Sequence, residues 1–237
     1  MIITYIHHSS FSVELEQVTM LFDYYKGKLP EFSREKPLIV FASHFHADHY
    51  SPIIFTLAED REDVFYILSS EIQKRKVPEQ LLNRIRFVKA GERFFTEQGN
   101  LEIETYKSTD EGVAFWISGE GRQIYHAGDL NNWWWEGEDK AWNHNMAADY
   151  SHEIEAMAGR KADVAFLPLD PRQEQQFYLG FDEFMKKVSA EIAFPMHFWE
   201  DYSMINQIKQ HPCSSTYRDH IAEIHKEGEV FYYGSGR

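Results

Sequence analysis

Cysteine is all but absent from this chain: Cys213 is the only one in 237 residues. No internal disulfide can form, so the core must hold the fold, and a reducing, cytoplasmic setting is the expectation. The neighbours of Cys213, His211-Pro212 and Ser214-Ser215, read as a turn and helix start rather than an activated thiol site. Positive charge is also scarce, with 24 Lys plus Arg against 38 Asp plus Glu and a formal net charge of -14. That balance argues against a broad grip on nucleic acid or anionic lipid, while leaving room for a local basic pocket. Apolar runs fall far short of a membrane span, and Met1 to His8 lacks the basic region, apolar core and cleavage site of a signal peptide. Linkers rich in Pro, Gly or Ser are missing too, as are repeats and low-complexity tracts. Residues 1–237 are therefore expected to form one domain, with disorder confined to Gly234-Ser235-Gly236-Arg237.

What the chain does have is Ser43-His44-Phe45-His46-Ala47-Asp48-His49, four metal-ligand side chains in six residues. Imidazole and carboxylate hold zinc, manganese or iron near neutral pH, and crowding them without a cation would be costly to desolvate. An apolar segment, Leu38 to Ala42, leads straight into the cluster and reads as a buried strand ending where the ligands begin.

The first half is rich in strand signals: Ile2 to Ile6, Phe11 to Leu15, Val18 to Asp23, Leu38 to Ala42, Val64 to Leu68, Ile85 to Val88, Glu92 to Phe95, Leu101 to Tyr106, Val113 to Ser118 and Gln123 to His126. A helix is expected after Ser51-Pro52. The second half alternates: helices over Asn145 to Gly159, Phe181 to Val188, Ser203 to Gln210 and Ser214 to Lys226, with strands at Asp163 to Leu167, Glu191 to Phe194 and Glu229 to Tyr233. A meander followed by a mixed half suggests two sheets face to face with helices outside. In such folds the loops at strand ends carry the chemistry. Three loops offer further ligands: Ser108 to Gly112, His126-Ala127-Gly128-Asp129, and Phe194-Pro195-Met196-His197.

With these pieces in order, the chain resembles the metallo-β-lactamase fold superfamily. The opening His7-His8-Ser9-Ser10-Phe11 and Leu21-Phe22-Asp23 also look like its lactonase-like and phosphodiesterase-like branch, which includes ascorbate-6-phosphate lactonase. The resemblance implies an α/β (α+β) four-layer αβ/βα sandwich with two divalent metal ions at one edge. Zinc is the leading expectation, with manganese or iron as alternatives. His44 and His46 would bind one ion, Asp48, His49 and His197 the other, and Asp129 would bridge them. The family usually supplies a third histidine to the first ion, yet none occurs between His49 and His126. Asp110 stands about where it should be, with Glu111 beside it, and an oxygen ligand there favours harder ions.

Two such cations lower the pKa of bound water from ~15.7 toward ~7, supplying a hydroxide nucleophile. Asp48 could pass its proton to the leaving group, making Asp48 and Asp129 the catalytic pair. Trp133 and Trp199 are candidate pocket walls, Asp170 and Arg172 a carboxylate and anion anchor on the rim, and His8 and His126 pocket or supporting groups. For His7, His144, His152, His211, His220 and His225 an ordinary role is expected. The leading expectation is a metal-dependent hydrolase of a small ester, lactone or phosphodiester, with an anionic substrate among the options. A metal-binding protein of this fold without turnover and an RNA-processing nuclease are the alternatives, the acidic charge counting against the latter. A flavodiiron-like role would need a flavin domain, for which the chain has no room. Homo-oligomeric assembly is left open.

Overall fold

A computed structural model of the chain describes residues 1–234; the expected disorder at Ser235-Gly236-Arg237 lies outside the described residues. Strands β1 (Ile2–His7), β2 (Ser10–Glu14) and β3 (Thr19–Phe22) form an antiparallel meander. The chain then runs parallel through β4 (Leu38–Ala42), β5 (Val64–Ser69) and β6 (Ile85–Val88). The second sheet repeats that order. An antiparallel meander of β7 (Arg93–Phe95), β8 (Glu102–Lys107), β9 (Val113–Gly119) and β10 (Arg122–His126) precedes two parallel strands, β11 (Ala162–Pro168) and β12 (Ala190–Met196). Strand β13 (Val230–Tyr232) closes the far edge of the first sheet against β1.

Alternation along each strand sorts side chains between layers. In β4, Ile39 and Phe41 point toward the second sheet, whereas Leu38, Val40 and Ala42 face outward beneath Ile54, Phe55 and Leu81. Aromatic rings knit the sheets together: Phe11 lies 4.4 Å from Phe166 and Phe41 lies 5.2 Å from Phe115, centroid to centroid. Each such fully buried ring contributes roughly 2 kcal/mol of apolar burial.

The four layers expected from the sequence are present, but they are unequal. Helices α1 (Lys140–Met157) and α2 (Leu179–Lys187) cover the second sheet, with Phe184 stacked 4.7 Å from Tyr125. Over the first sheet lie 3-10 turns, Pro52–Ala58 and Glu79–Arg84, so the helix expected after Ser51 is a 3-10 element. Ser51 caps it, accepting from the Ile53 N–H. Helix α3 (Ser203–Gln210) matches expectation. The expected Ser214 to Lys226 helix is replaced by short turns at Pro212–Thr216 and Arg218–His220. There Ala222 N–H donates to Ala193 O at 2.9 Å, so pairing with the edge of β12 outcompetes helical spacing.

Candidate metal centre

The centre gathers at the C-terminal ends of β3, β4, β10, β11 and β12 and at the turn after β1. At the end of β4 the chain is held by Asp23, which directly follows β3 and is fully buried. Ser43 N–H donates to Asp23 Oδ1 at 2.7 Å, and Ser43 Oγ–H donates to Asp23 Oδ2 at 2.6 Å. His44 Nδ1 lies 2.9 Å from Ser43 Oγ, and His49 Nδ1 lies 2.8 Å from Asp23 Oδ2. At the end of β12, His197 Nδ1 lies 2.9 Å from Asp170 Oδ2. A carboxylate or an already donating hydroxyl must accept, so all three rings donate from Nδ1 and turn Nε2 inward.

Those inward atoms converge on one carboxylate. Asp129 lies 3.1 Å from His49 Nε2, 3.5 Å from His197 Nε2 and 3.4 Å from His44 Nε2. The Nε2 atoms of His8, His44, His49 and His197, and Asp129 Oδ1, are buried without a hydrogen-bond partner. Buried nitrogens and oxygens rarely stay unpaired, so this donor set fits a cation. Two glycines let the loops close. A Cβ on Gly112, at φ +73, would lie 1.9 Å from Ser43 O, and one on Gly128, at φ +52, would lie 2.7 Å from Ser43 Cβ.

The other side is more open. His46 Nδ1 lies 3.8 Å from Asp110 Oδ2, and the two side chains are 37% and 47% exposed. His46, Asp110 and Asp129 offer ligand atoms within 4.8 Å of one another. Glu111 turns instead toward Glu71 and, together with burial, raises that residue's pKa. Of the two acids in the loop, Asp110 is the one that faces the centre.

Electrostatics follow the packing. Burial pushes His44 down to about 4. Burial also lowers His8 to about 4, against the pull of Asp48. Burial would raise Asp129, but His49, His197 and His44 outweigh it and hold the carboxyl well below its usual range. Asp48 is likewise depressed, burial being outweighed by His8, His49 and His197. For Asp170, burial is overcome by His197 and Arg172, bringing it to about 2. Asp110 moves the other way, raised by burial and then by the nearby Asp129 charge. The cluster holds its acids ionised at neutral pH, as ligation requires.

Beside the centre opens a pocket of about 370 Å³, lined by His46, Asp48, Asp110, Asp129 and His197 on one side and by Trp133, Trp135, Trp142 and Met146 on another, with Thr109 and Arg172 also on its wall. The family described as "Beta-lactamase superfamily domain" matches residues 2–197. The chain belongs to this superfamily. Its fold is similar to that of Igni18, a metallo hydrolase from the archaeon Ignicoccus hospitalis, at 19% identity, with 98% of each chain covered and a TM-score of 0.66. It is also similar to YhfI, a metallo-β-lactamase fold protein from Bacillus subtilis, at 13% identity, 98% of this chain and 99% of that one, TM-score 0.64. An isothiocyanate hydrolase from Delia radicum gut bacteria gives 13% identity, 98% and 99% coverage, and a TM-score of 0.60. No curated protein matches the sequence.

Within this superfamily fold, His44, His46, His49, Asp110 and His197 come together around the Asp129 carboxylate, and Asp48 lies 3.8 Å from His197 Nε2. Trp133 and Arg172 line the pocket. The other candidate pocket residues, His8, His126, Asp170 and Trp199, stand outside that lining. His126 is fully buried behind the centre, its Nε2 3.0 Å from Ser9 O and its ring stacked 4.9 Å from Phe22. Asp170 is also fully buried, and its oxygens are taken up by His197, Arg172 and Trp199, so it positions His197 and leaves nothing for a substrate. Trp199 lies outside the pocket lining, 4.5 Å from the His8 ring.

The sequence does not single out Asp23, Trp142, Met146 or Thr109 as site residues. Trp142 comes from the first turn of α1, which begins at Lys140, five residues before the expected start. Asp139 caps that turn by accepting from Trp142 N–H at 2.8 Å, and an acid at that position was the available signal.

Proposed function

We propose that the protein is a metal-dependent hydrolase of a small ester, lactone or phosphodiester, working as one catalytic domain over residues 1–237. The observation that carries this reading is the convergence of four unpartnered, buried imidazole nitrogens and one carboxylate oxygen beside an aromatic-walled pocket. His44, His46 and Asp110 would hold one divalent ion and Asp48, His49 and His197 a second, with Asp129 between them. Zinc leads as the ion, and manganese or iron are the alternatives that the carboxylates favour. When bound, the ions supply Lewis acidity and a water acidified toward neutral pH.

The chain's own residues do the rest. Asp23, Ser43 and Asp170 fix the imidazole tautomers, so the inner nitrogens need no reorganisation. Asp48 lines the pocket with its carboxyl kept ionised, and can take a proton from the attacking water and return it to the leaving group. Trp133 and Trp135, nearly parallel at 5.7 Å, offer an apolar wall for the substrate body. Arg172 grips Asp170 through Nε and one terminal nitrogen, stacks 4.8 Å from Trp199, and presents its remaining donors to an anionic group.

A pocket of this size suits a small molecule, and the net charge of -14 sets it against nucleic acid. No helix of the described residues is long and apolar enough to cross a membrane, and the single cysteine suits a reducing cytoplasm. The test is metal analysis of the purified protein alongside a hydrolysis screen on generic lactones, esters and phosphodiesters. Two equivalents of metal with turnover support the reading. Metal without turnover would leave a binding protein of this fold, and no metal would sink the proposal.

A further inference from the structure

His8 has no role in the ligand set above, yet it is among the most constrained side chains in the molecule. It sits in the turn after β1 at φ +52, a left-handed conformation that a residue with a Cβ adopts at a cost. Its backbone is pinned there: its N–H donates to Tyr5 Oη at 3.0 Å, and its carbonyl accepts from His197 N–H at 3.4 Å. The side chain is 2% exposed. Trp199 covers it at 4.5 Å, the His197 ring lies 4.2 Å away and the His49 ring 5.8 Å away. Its Nε2 is buried with no hydrogen-bond partner, and stands 3.6 Å from Asp48 Oδ2.

A substrate contact would line the pocket, and His8 does not. A hydrogen-bonding support for Asp48 would sit nearer 2.8 Å, and His8 Nε2 stands 3.6 Å away. What remains is an unpartnered nitrogen aimed at the same space as its neighbours. The ligand atoms of His8, Asp48, His49 and His197 lie within 4.8 Å of one another. Donors on one ion at ~2.1 Å are at most roughly 4.2 Å apart, so a contraction of a few tenths of an ångström gathers all four.

We infer that His8 is a ligand of the second cation, joining Asp48, His49 and His197, with Asp129 as the fifth protein donor. The inference rests on the metal-centre reading above and deepens it. Five donors exceed the four of a tetrahedral zinc site, so this position favours an ion that accepts five or six ligands, such as manganese, iron or cobalt. It also makes the two positions unequal. The second is closed and rich in imidazole, whereas the first, with His46 and Asp110 more than a third exposed, is the one that loses its ion and admits substrate.

The probe is cobalt(II), added to the full-length apoprotein. The first equivalent should fill the His8 position, and X-ray absorption of that one-cobalt wild-type sample should show three imidazoles. Two imidazoles, the number that His44 and His46 would give, overturn the assignment without any variant. In parallel, His8→Ala and His8→Asn, the latter tolerant of positive φ, should lower affinity for the first equivalent by at least about 10-fold and change the cobalt absorption bands. Circular dichroism confirms that each variant is folded, and an unfolded variant leaves the wild-type spectrum to decide. If wild type takes up cobalt and a folded variant matches it in affinity and spectrum, the His8 assignment falls alone. If wild type takes up no cobalt, the metal-centre reading falls with it.

Discussion

The two halves of the centre are built by different means. Around His44, His49 and His197 every outer nitrogen is tethered, to Ser43, Asp23 and Asp170 respectively, and every ring is buried. Around His46 and Asp110 there is no comparable tether, and the side chains reach solvent. A buried donor set is preorganised and costly to leave empty, while an exposed one can be solvated when vacant. The contrast teaches that retention and access can be divided between neighbouring positions that share one carboxylate, Asp129.

The largest effect should come from the shared group. Asp129→Ala is expected to strip both ions and cut activity by more than roughly 100-fold, beyond what loss of a supporting partner costs. Retention of two equivalents in elemental analysis would erase the distinction between halves. Next is Asp23→Ala, which frees Ser43 and His49 together. Metal affinity should drop by roughly 10- to 100-fold, and thermal unfolding should show a loss of about 2 kcal/mol from the unpaired buried groups. An unchanged melting temperature would mean that the tether is not structural.

Asp110→Ala sharpens the contrast from the open side. One equivalent should weaken by about 10-fold, within the range seen when a site loses an oriented partner, with stability unaltered. Full metal content and activity would show that Asp110 is no ligand. Smaller still, Trp135→Ala should raise KM about fivefold through the loss of about 1 kcal/mol of aromatic contact, leaving kcat and metal content alone. A fall in kcat alone would remove Trp135 from the pocket wall.

The smallest effect lies remote from both halves. The Arg61 guanidinium hydrogen-bonds Asp63 at 2.7 Å and holds its carboxyl below the usual range. A depressed acid stabilises the fold above its unfolded pKa, and the contribution fades as pH falls through the folded value. Arg61→Ala should therefore cost about 0.5 kcal/mol at neutral pH, discounted for exposure, and progressively less below pH ~4. Denaturant melts at several pH values check this, and a constant difference down to strongly acid pH would contradict it.

Much of the fold was legible because its signals are local. The β4 run Leu38 to Ala42 is buried on both faces and ends two residues before His44 whatever packs on it. The same locality misled at residues 214–226, where helix-like spacing lost to a bridge between Ala193 and Ile221. Asp23 was hidden for a related reason. Leu21-Phe22-Asp23 carries a family resemblance but no role for the carboxylate, and only the parallel register of Phe22 with Phe41 brings it to Ser43 and His49. Asp170-Pro171-Arg172 was visible as a charged pair, but which partner faces inward depended on His197 arriving from β12.

By itself the sequence determined that the chain gathers metal-ligand side chains at strand ends of a two-sheet α/β sandwich, because ligand spacing and apolar periodicity are properties of neighbouring residues. Only the tertiary structure decided which nitrogen of each histidine turns inward, that Asp110 rather than Glu111 faces the centre, that His126 backs it and that Trp135 and Trp142 wall the pocket. Those outcomes depend on contacts across tens of residues, and a strand register displaced by one residue would reverse them.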